Sequence, residues 1–423
     1  MNGKILSSIL MVTMLMLAGL LVVGTGVAAK TNPAEKIQVI VVFKDRPDPA
    51  FIRQHGGNIK YTYDVIPGIA ALLPQKAVDA LEKNPKIAYV ERDIVVGRPP
   101  WAGGGEKEQP PETLEWGVDR IDADLVWDTD GDLVADEGAN MGSGIKVAVL
   151  DTGIDKDHPD LQENIKGGVN FVSKPWWKDP DPNKWDDDNG HGTYVAGIIA
   201  AVENEIGVIG SAPKAWLYGV KVLDRTGSGY VSDVIAGIDW SVDNGMHVIS
   251  MSLGSSSDSQ ALHDACDNAY AAGLVLVAAA GNSGDGDGST NEVLYPAKYS
   301  SVIAVAATDK DDSTPTWSSE GEEVELAAPG VDVRSTWKDG SYETHSGTSA
   351  ATPHVSGTIA LVLYQTELLT AYDSNGDGAL QPSELRTLLR DTADDLGSSG
   401  FDNFYGYGLV DAEESVTGTQ TNP

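Results

Sequence analysis

Four residues in this 423-residue chain have types and settings that suit chemistry at a carbonyl carbon. Asp151 follows the apolar run of VAVLDTGID, His191 opens the apolar stretch of NGHGTYVAG, Asn282 follows the run of VAAAGNSG, and Ser349 heads SGTSAATPHVSG. A serine hydroxyl is a weak nucleophile at neutral pH and needs a base, and an imidazole titrates in the right range. A buried carboxylate can hold that imidazole in the tautomer that accepts the proton. The tetrahedral oxyanion then needs fixed donors. Asp151, His191 and Ser349 fill the first three roles. The backbone N–H of Ser349, at a helix start, and the side-chain amide of Asn282 fill the fourth. Singly, each has a plain structural explanation: a Ser beside Gly is usually a turn, and an Asp after a strand is often a cap. Four together at element ends point to nucleophilic acyl transfer.

The elements that must position them are legible as periodicity. IKVAVL, GVNFV, WLYGVKVL, HVISMS, LVLVAAA and VIAVAA are short unbroken apolar runs. Between several of them lie segments with apolar spacing of three and four, such as TYVAGIIAAV and SDVIAGIDWSV. Continuous apolar strands alternating with helices imply an α/β fold with a mostly parallel sheet covered on both faces, and active groups in such sheets gather beyond the strands' carboxyl ends. Ahead of this, residues 36–96 read as a small α+β domain, strand–helix–strand–strand–helix–strand. A Gly/Pro-rich charged linker, 97–111, separates the two.

The stretch DSNGDGALQPSE spells a calcium loop. Oxygen ligands are expected from Asp373, Asn375, Asp377, the Ala379 carbonyl, Gln381 and Glu384, with Gly378 at the sharp turn and Leu380 anchoring the loop. One full match and only seven Met residues argue for a structural ion rather than a sensor. A second acidic insert places Asp128, Asp130, Asp132 and Asp136 at ligand-like spacing, with its Gly misplaced for the full pattern. The insert KPWWKDPDPNKWDDDNG before His191 reads as a groove border, a cation site or a solvated loop, and GDGDG (284–288) as a flexible turn. The net charge of −34 is uneven: residues 97–423 hold 18 basic and 55 acidic side chains, residues 30–96 hold 10 and 8. Such acidity excludes nucleic acid and anionic membranes as partners. It suits an exported, calcium-loaded protein or a saline habitat. Lys4 followed by an apolar run to Val23 and the small residues Val27-Ala28-Ala29 reads as an export signal over residues 1–29, with an uncleaved anchor as the other reading. The one cysteine, Cys266, can form no intrachain disulfide and falls in a helical pattern, where it is expected to be buried and inert.

With these motifs in view, the chain resembles the subtilisin-like serine proteases from about residue 112 to 412. NGHGT and GTSxATPHVSG carry the likeness, as does the chain order Asp, His, Ser. The resemblance implies a three-layer fold and a catalytic domain over 112–423, holding the calcium loop at 373–384. It implies that Ser252-Leu253-Gly254 and Gly227-Ser228-Gly229 are the two walls between which substrate adds as a strand. It further implies a high-affinity calcium site made by Glu112, Asp160, Asn204 and the carbonyls of Val202, Ile206 and Val208. Departures are Glu112 where Gln is usual, Tyr194 for a second His, Ala350 for Met, and Leu294 near the floor of the primary pocket, where it would make the pocket shallow. Residues 30–96 resemble the family's inhibitory and chaperoning propeptide, a ferredoxin-like unit. The linker pattern looks most like calcium-dependent archaeal members, which puts autocleavage near Val96-Gly97.

The leading expectation is therefore a secreted, calcium-stabilised serine endopeptidase, monomeric and made as a self-processing precursor that acts on protein and peptide substrates. A catalytically silent calcium-dependent surface or adhesion protein is the alternative from another class, and a narrow processing protease a third.

Overall fold

The computed structural model describes residues 36–98, the backbone of 103–106, and residues 109–176, 178–365 and 371–420. The expected export signal lies outside them. The six runs read as buried strands, joined by a seventh strand, Val324–Pro329, that those runs do not include, form one sheet with every pairing parallel. From one edge, its order is Val324–Pro329, Val302–Thr308, Val275–Ala279, Val248–Met251, Lys146–Asp151, Trp216–Lys221 and Ile165–Asn170. The strand Lys146–Asp151 comes first in the chain and sits inside the sheet. Later strands add on one side of it and then on the other. The strand order therefore reverses beside Asp151 and Met251, the kind of crevice where α/β sheets place their ligands.

Helices cover both faces. His191–Ala200 and Thr348–Tyr364 are apolar nearly all round and almost wholly buried, which is why their sequences show little amphipathic contrast. They pack against each other on one face. Val231–Asp243 and Gln260–Ala271 lie on the other, where Cys266 is fully buried and burial pushes its thiol pKa up.

The N-terminal unit forms as its periodicity requires: a four-stranded antiparallel sheet in the order Asn58–Thr62, Gly68–Pro74, Lys36–Phe43, Ile87–Arg92, with helices Pro49–Gln54 and Gln75–Leu81. One face has its own core of Val39, Val41, Ile52, Leu73 and Leu81, and residues of the other face pack into the second layer of the large unit. In the linker, Gly103–Glu106 pairs with Ser341–His345.

Candidate active site

Asp151 ends its strand and His191 begins its helix. Both are fully buried, and His191 Nδ1 lies 2.7 and 2.8 Å from the two Asp151 carboxylate oxygens. The helix can come this close because residue 192 is glycine. A Cβ there would sit 2.1 Å from the Gly153 carbonyl oxygen and 3.1 Å from Asp151 Cβ. The Asp151 carboxylate also accepts from the Thr152 N–H at 2.7 Å.

Ser349, 1% exposed, occupies the second position of its helix. Pro353 lies inside that helix and has no N–H to give the Ser349 carbonyl four residues earlier. The Ser252 hydroxyl replaces it, donating to Ser349 O at 2.9 Å, while Ser349 Oγ lies 3.5 Å from Ser252 O. A proline that looks like a helix defect thus ties the serine to the end of the strand Val248–Met251. Asn282 is fixed through its oxygen, which accepts from the Thr348 N–H at 2.9 Å and the Thr348 hydroxyl at 2.8 Å. Its amide nitrogen is left to point past Gly347. A Cβ built on Gly347 would lie 2.9 Å from Asn282 Nδ2 and 3.7 Å from the Ser349 nitrogen, so both donors flank one small space that only glycine leaves open.

That crevice holds the end of the N-terminal unit. Val95–Gly97 pairs antiparallel with Ser228–Tyr230, and Gly97 exchanges both backbone bonds with Gly254, at 3.2 and 3.0 Å. Arg98 N–H donates to Gly227 O at 3.0 Å. Gly227, Ser228, Gly229 and Gly254 thus grip an extended chain on two sides, while Val96 is buried. The register has a consequence for the bond expected to be cut. Gly97 is opposite Gly254, two residues or about 7 Å along the strand from Ser252. The Val96–Gly97 bond therefore lies to one side of Ser349, not against it. Leu294 packs against Gly254 and Gly281: a Cβ on either glycine would lie within 3 Å of it.

Polar contacts dock the rest of the unit. Lys60 Nζ lies 2.6 Å from Asp233 Oδ1, both buried, and the Tyr61 hydroxyl lies 2.6 Å from Phe171 O and 3.0 Å from the same Asp233 oxygen. Asp93 accepts from the Ser232 N–H at 2.9 Å, the Ser232 hydroxyl at 2.7 Å and Trp176 Nε1 at 3.0 Å. Glu91 accepts from the Ser259 hydroxyl at 2.6 Å and the Gln260 N–H at 3.1 Å. Both carboxylates thereby meet helix N-termini, where anions are favoured. Burial dominates for Asp93 all the same and pushes its pKa up to about 7.

The expected cation sites differ in how far their oxygens converge. Asp160 accepts from Asn204 Nδ2 at 3.1 Å and the Val208 N–H at 3.0 Å, and Glu112 from the Asn204 N–H at 2.6 Å. The Val202 N–H donates to Asp160 O, and the Ile206 N–H to Asn204 Oδ1. Asp160 is fully buried, and burial, with Glu112 nearby, pushes it up to about 7. Asp160, Glu112 and Asn204 thus lie together and bring hard oxygen donors, two of them carboxylates, a set whose chemistry fits a hard cation. Asp128, Asp130 and Asp132 converge to within 4.8 Å, whereas Asp136 turns away to Thr129. In the loop 373–384 the Asp373 oxygens accept from the N–H groups of Gly376, Asp377 and Gly378, Asn375 Oδ1 from the Asp377 N–H and Asp377 Oδ1 from the Ala379 N–H. Gln381 Nε2 lies 3.2 Å from Asp377, and Gln381 caps the helix Pro382–Asp391. Glu384 is bound to Ser374 and the Gln381 N–H, and the three carboxylates of this loop are not one of the converging trios among the described residues. Leu380 is buried, as its anchoring role required.

Sequence reasoning missed the support behind the pair. Asp187, from the insert read as a border or solvated loop, accepts five hydrogen bonds, from Thr152, Asn189, Gly190 and twice from Thr193. Thr152 Oγ1 in turn accepts from the Gly192 N–H. Lys221 bonds the Thr152 carbonyl and Asp188. The signal was adjacency: the acids stand immediately before His191. Tyr194 is the local packing change expected, its hydroxyl donating to Val333 O at 2.8 Å.

Comparisons with known proteins identify the family. A model described as Subtilase family matches residues 142–408, and one described as Peptidase inhibitor I9 matches 38–98. Subtilisin E of Bacillus subtilis (strain 168) is 40% identical over 365 residues, covering 86% of this chain and 84% of that protein. Alkaline protease of Shouchella clausii is 41% identical over 359 residues, 85% and 82% of the two. Minor extracellular protease Epr of Bacillus subtilis is 37% identical over 418 residues, 98% of this chain and 59% of that one. These relatives are bacterial, whereas the linker pattern had pointed to archaeal ones.

Proposed function

We propose, starting from the fact that the chain belongs to the subtilase family of serine endopeptidases, how its residues divide the work. Ser349 Oγ attacks the substrate carbonyl carbon and its proton passes to His191 Nε2. Asp151, bonded to Nδ1, holds the ring and stabilises the imidazolium. The oxyanion takes hydrogen bonds from the Ser349 N–H and Asn282 Nδ2. As the C–N bond breaks, His191 returns the proton to the leaving amine, leaving an acyl-enzyme on Ser349. Water then repeats the sequence and releases the acid. Ser252-Leu253-Gly254 and Gly227-Ser228-Gly229 align substrate as an added strand. The observation that carries this reading is Asn282 and Ser349 N flanking one glycine-cleared space, with His191 heading the helix packed beside that of Ser349 and Asp151 bonded to it from the end of its strand.

Residues 30–96 act as inhibitor and folding template, leaving 112–423 as the catalytic domain after the linker 97–111. The tail through Gly97 occupies the substrate crevice, so the precursor is silent until cut. Cutting near Val96-Gly97 requires the tail to shift along Gly254. Export follows from the leader-like residues 1–29 and from the printed description of one relative as extracellular. No helix among the described residues is long and apolar enough to cross a membrane. Calcium is held by Glu112, Asp160, Asn204 and the nearby carbonyls, by Asp128, Asp130 and Asp132, and by the loop 373–384, where it supplies structural cross-links. The likeness to archaeal calcium-dependent enzymes rests on the linker alone, against relatives that are bacterial. Incubating the purified precursor with casein and calcium tests the reading. Hydrolysis by wild type but not by Ser349→Ala, with Ser349→Ala remaining uncut, is expected; equal hydrolysis by both would overturn it.

A further inference from the structure

We propose that Asp285, Glu292 and Glu320 form a divalent-cation site, suited to Ca2+, that clamps the loop between Asn282 and Leu294. Part of this loop, 284–288, reads from sequence as a flexible turn. In the fold it is pinned at several points. The Gly284 N–H donates to Trp317 O at 3.0 Å, the Gly286 N–H to Glu320 Oε1 at 2.8 Å, and the Glu292 N–H to Glu320 O at 3.1 Å. Asp285 on the outgoing limb and Glu292 on the returning limb bring carboxylate oxygens to within 4.8 Å of each other and of Glu320.

Two oxygens of this trio, one on buried Glu320 and one on half-buried Glu292, carry the inference. Glu320 is 1% exposed, and its Oε2 is cut off from water with no hydrogen-bond donor. Oε2 of Glu292 is in the same condition. Among the described residues no lysine or arginine pairs with any of the three. Lys298, on the same segment, is engaged with Asn291 and Glu323. Two buried carboxylate oxygens facing a third acid without a donor is an arrangement that native proteins avoid unless a cation completes it. The approach is also built in. A Cβ on Gly284 would lie 2.1 Å from the Ser318 carbonyl and 2.4 Å from Glu320 Oε2, so only glycine lets the loop close over this carboxylate. Carboxylates alone are hard donors that select hard cations, and their capacity for bidentate contact suits the larger coordination shell of Ca2+ over the strict octahedron of Mg2+.

Position gives the site a consequence. Asn282 lies three residues before Asp285, and Leu294 two after Glu292. The limbs are tied further by the Ser319 N–H to Gly281 O at 2.9 Å and the Leu294 N–H to Ala280 O at 2.8 Å. An ion joining both limbs to Glu320 fixes the oxyanion donor and the pocket floor together. This consequence, unlike the metal site itself, rests on the catalytic reading above.

The test uses the full-length chain carrying Ser349→Ala, which prevents self-digestion, so that binding is read without activity. Bound calcium is counted after equilibrium dialysis, and Tb3+ luminescence is excited through tryptophan, since Trp317 adjoins the loop. Glu292→Gln with Glu320→Gln is expected to remove one ion per chain, and exposed Asp285→Asn, which leaves Glu292 and Glu320 intact, to weaken it at least about tenfold. Unchanged calcium count and Tb3+ titration in both variants would overturn the site. In the Ser349-active chain, Asp285→Asn should lower kcat at limiting calcium and recover at high calcium. An ion lost with kcat unmoved would overturn the clamp, and a chain that binds the ion but hydrolyses nothing would indict the catalytic reading alone.

Discussion

Replacing Lys60 by Met should release the inhibitory unit. Lys60 Nζ lies 2.6 Å from Asp233 Oδ1, with both side chains nearly inaccessible, and 4.6 Å from the centre of the Trp176 ring. Asp233 belongs to the catalytic unit. Losing its partner in the complex strands a buried carboxylate, whose pKa burial already raises. Breaking a buried pair from one side costs about 3–5 kcal/mol. The Tyr61 hydroxyl, 2.6 Å from Phe171 O and 3.0 Å from Asp233, can turn its one proton to the stranded carboxylate, which places the cost at the lower end, about 3 kcal/mol. At 1.4 kcal/mol per factor of ten, the inhibition constant rises on the order of 10²-fold. The assay is inhibition of the mature protease by added propeptide, 30–98, in wild-type and Lys60→Met forms. Asp233→Asn in the protease should recover most of the loss, because no charge is then stranded. An inhibition constant for Lys60→Met within about threefold of wild type would refute the reasoning, since even a surface pair can account for that much.

The same interface should respond to pH. Asp93 holds its proton up to about 7 in the complex, against 3.8 for an exposed carboxyl, so binding takes up a proton in between. Affinity is then full below pH 4, falls as pH rises towards 7 and levels off above it; Asp93→Asn should flatten this profile in the inhibition assay. Asn282→Ala should lower kcat about 10²–10³-fold with KM little changed, a magnitude known for the oxyanion asparagine of a subtilisin rather than worked from this geometry. Steady-state kinetics on an extended peptide would check it. Excess chelator should lower Tm in a thermal scan of the Ser349→Ala chain. Leu388→Ala, in the helix after the loop 373–384, should cost about 2–5 kcal/mol in denaturant unfolding, since Leu388 is fully buried.

How much of this could be read from sequence depends on the range of the interactions. The strands and helices are local, and their apolar periodicity marked them, down to the six elements of the N-terminal unit. Asp151, His191, Asn282 and Ser349 were legible because each sits where a strand or helix ends in a distinctive stretch. What holds them was not. Pro353 makes sense only with Ser252, some hundred residues earlier, and Asp187 ties its local bonds to Asn189, Gly190 and Thr193 into the pair through Thr152, 35 residues away. Gly97 carries no side chain, so nothing local sets its register against Gly254; pairing along the whole crevice does. Asp285, Glu292 and Glu320 show no ligand spacing, because the sheet order, not the chain, brings Glu320 to the loop. Conversely, the letter-perfect loop 373–384 turns its closing Glu384 into a helix cap, a local bond that sequence spacing also permits.

The most direct test of the central claim is labelling with a serine-directed phosphonate followed by peptide mapping. The account predicts one adduct per processed chain, on Ser349, lost in His191→Ala and slowed in Asn282→Ala. An adduct on another residue, or labelling of Ser349 at an equal rate without His191, would contradict it.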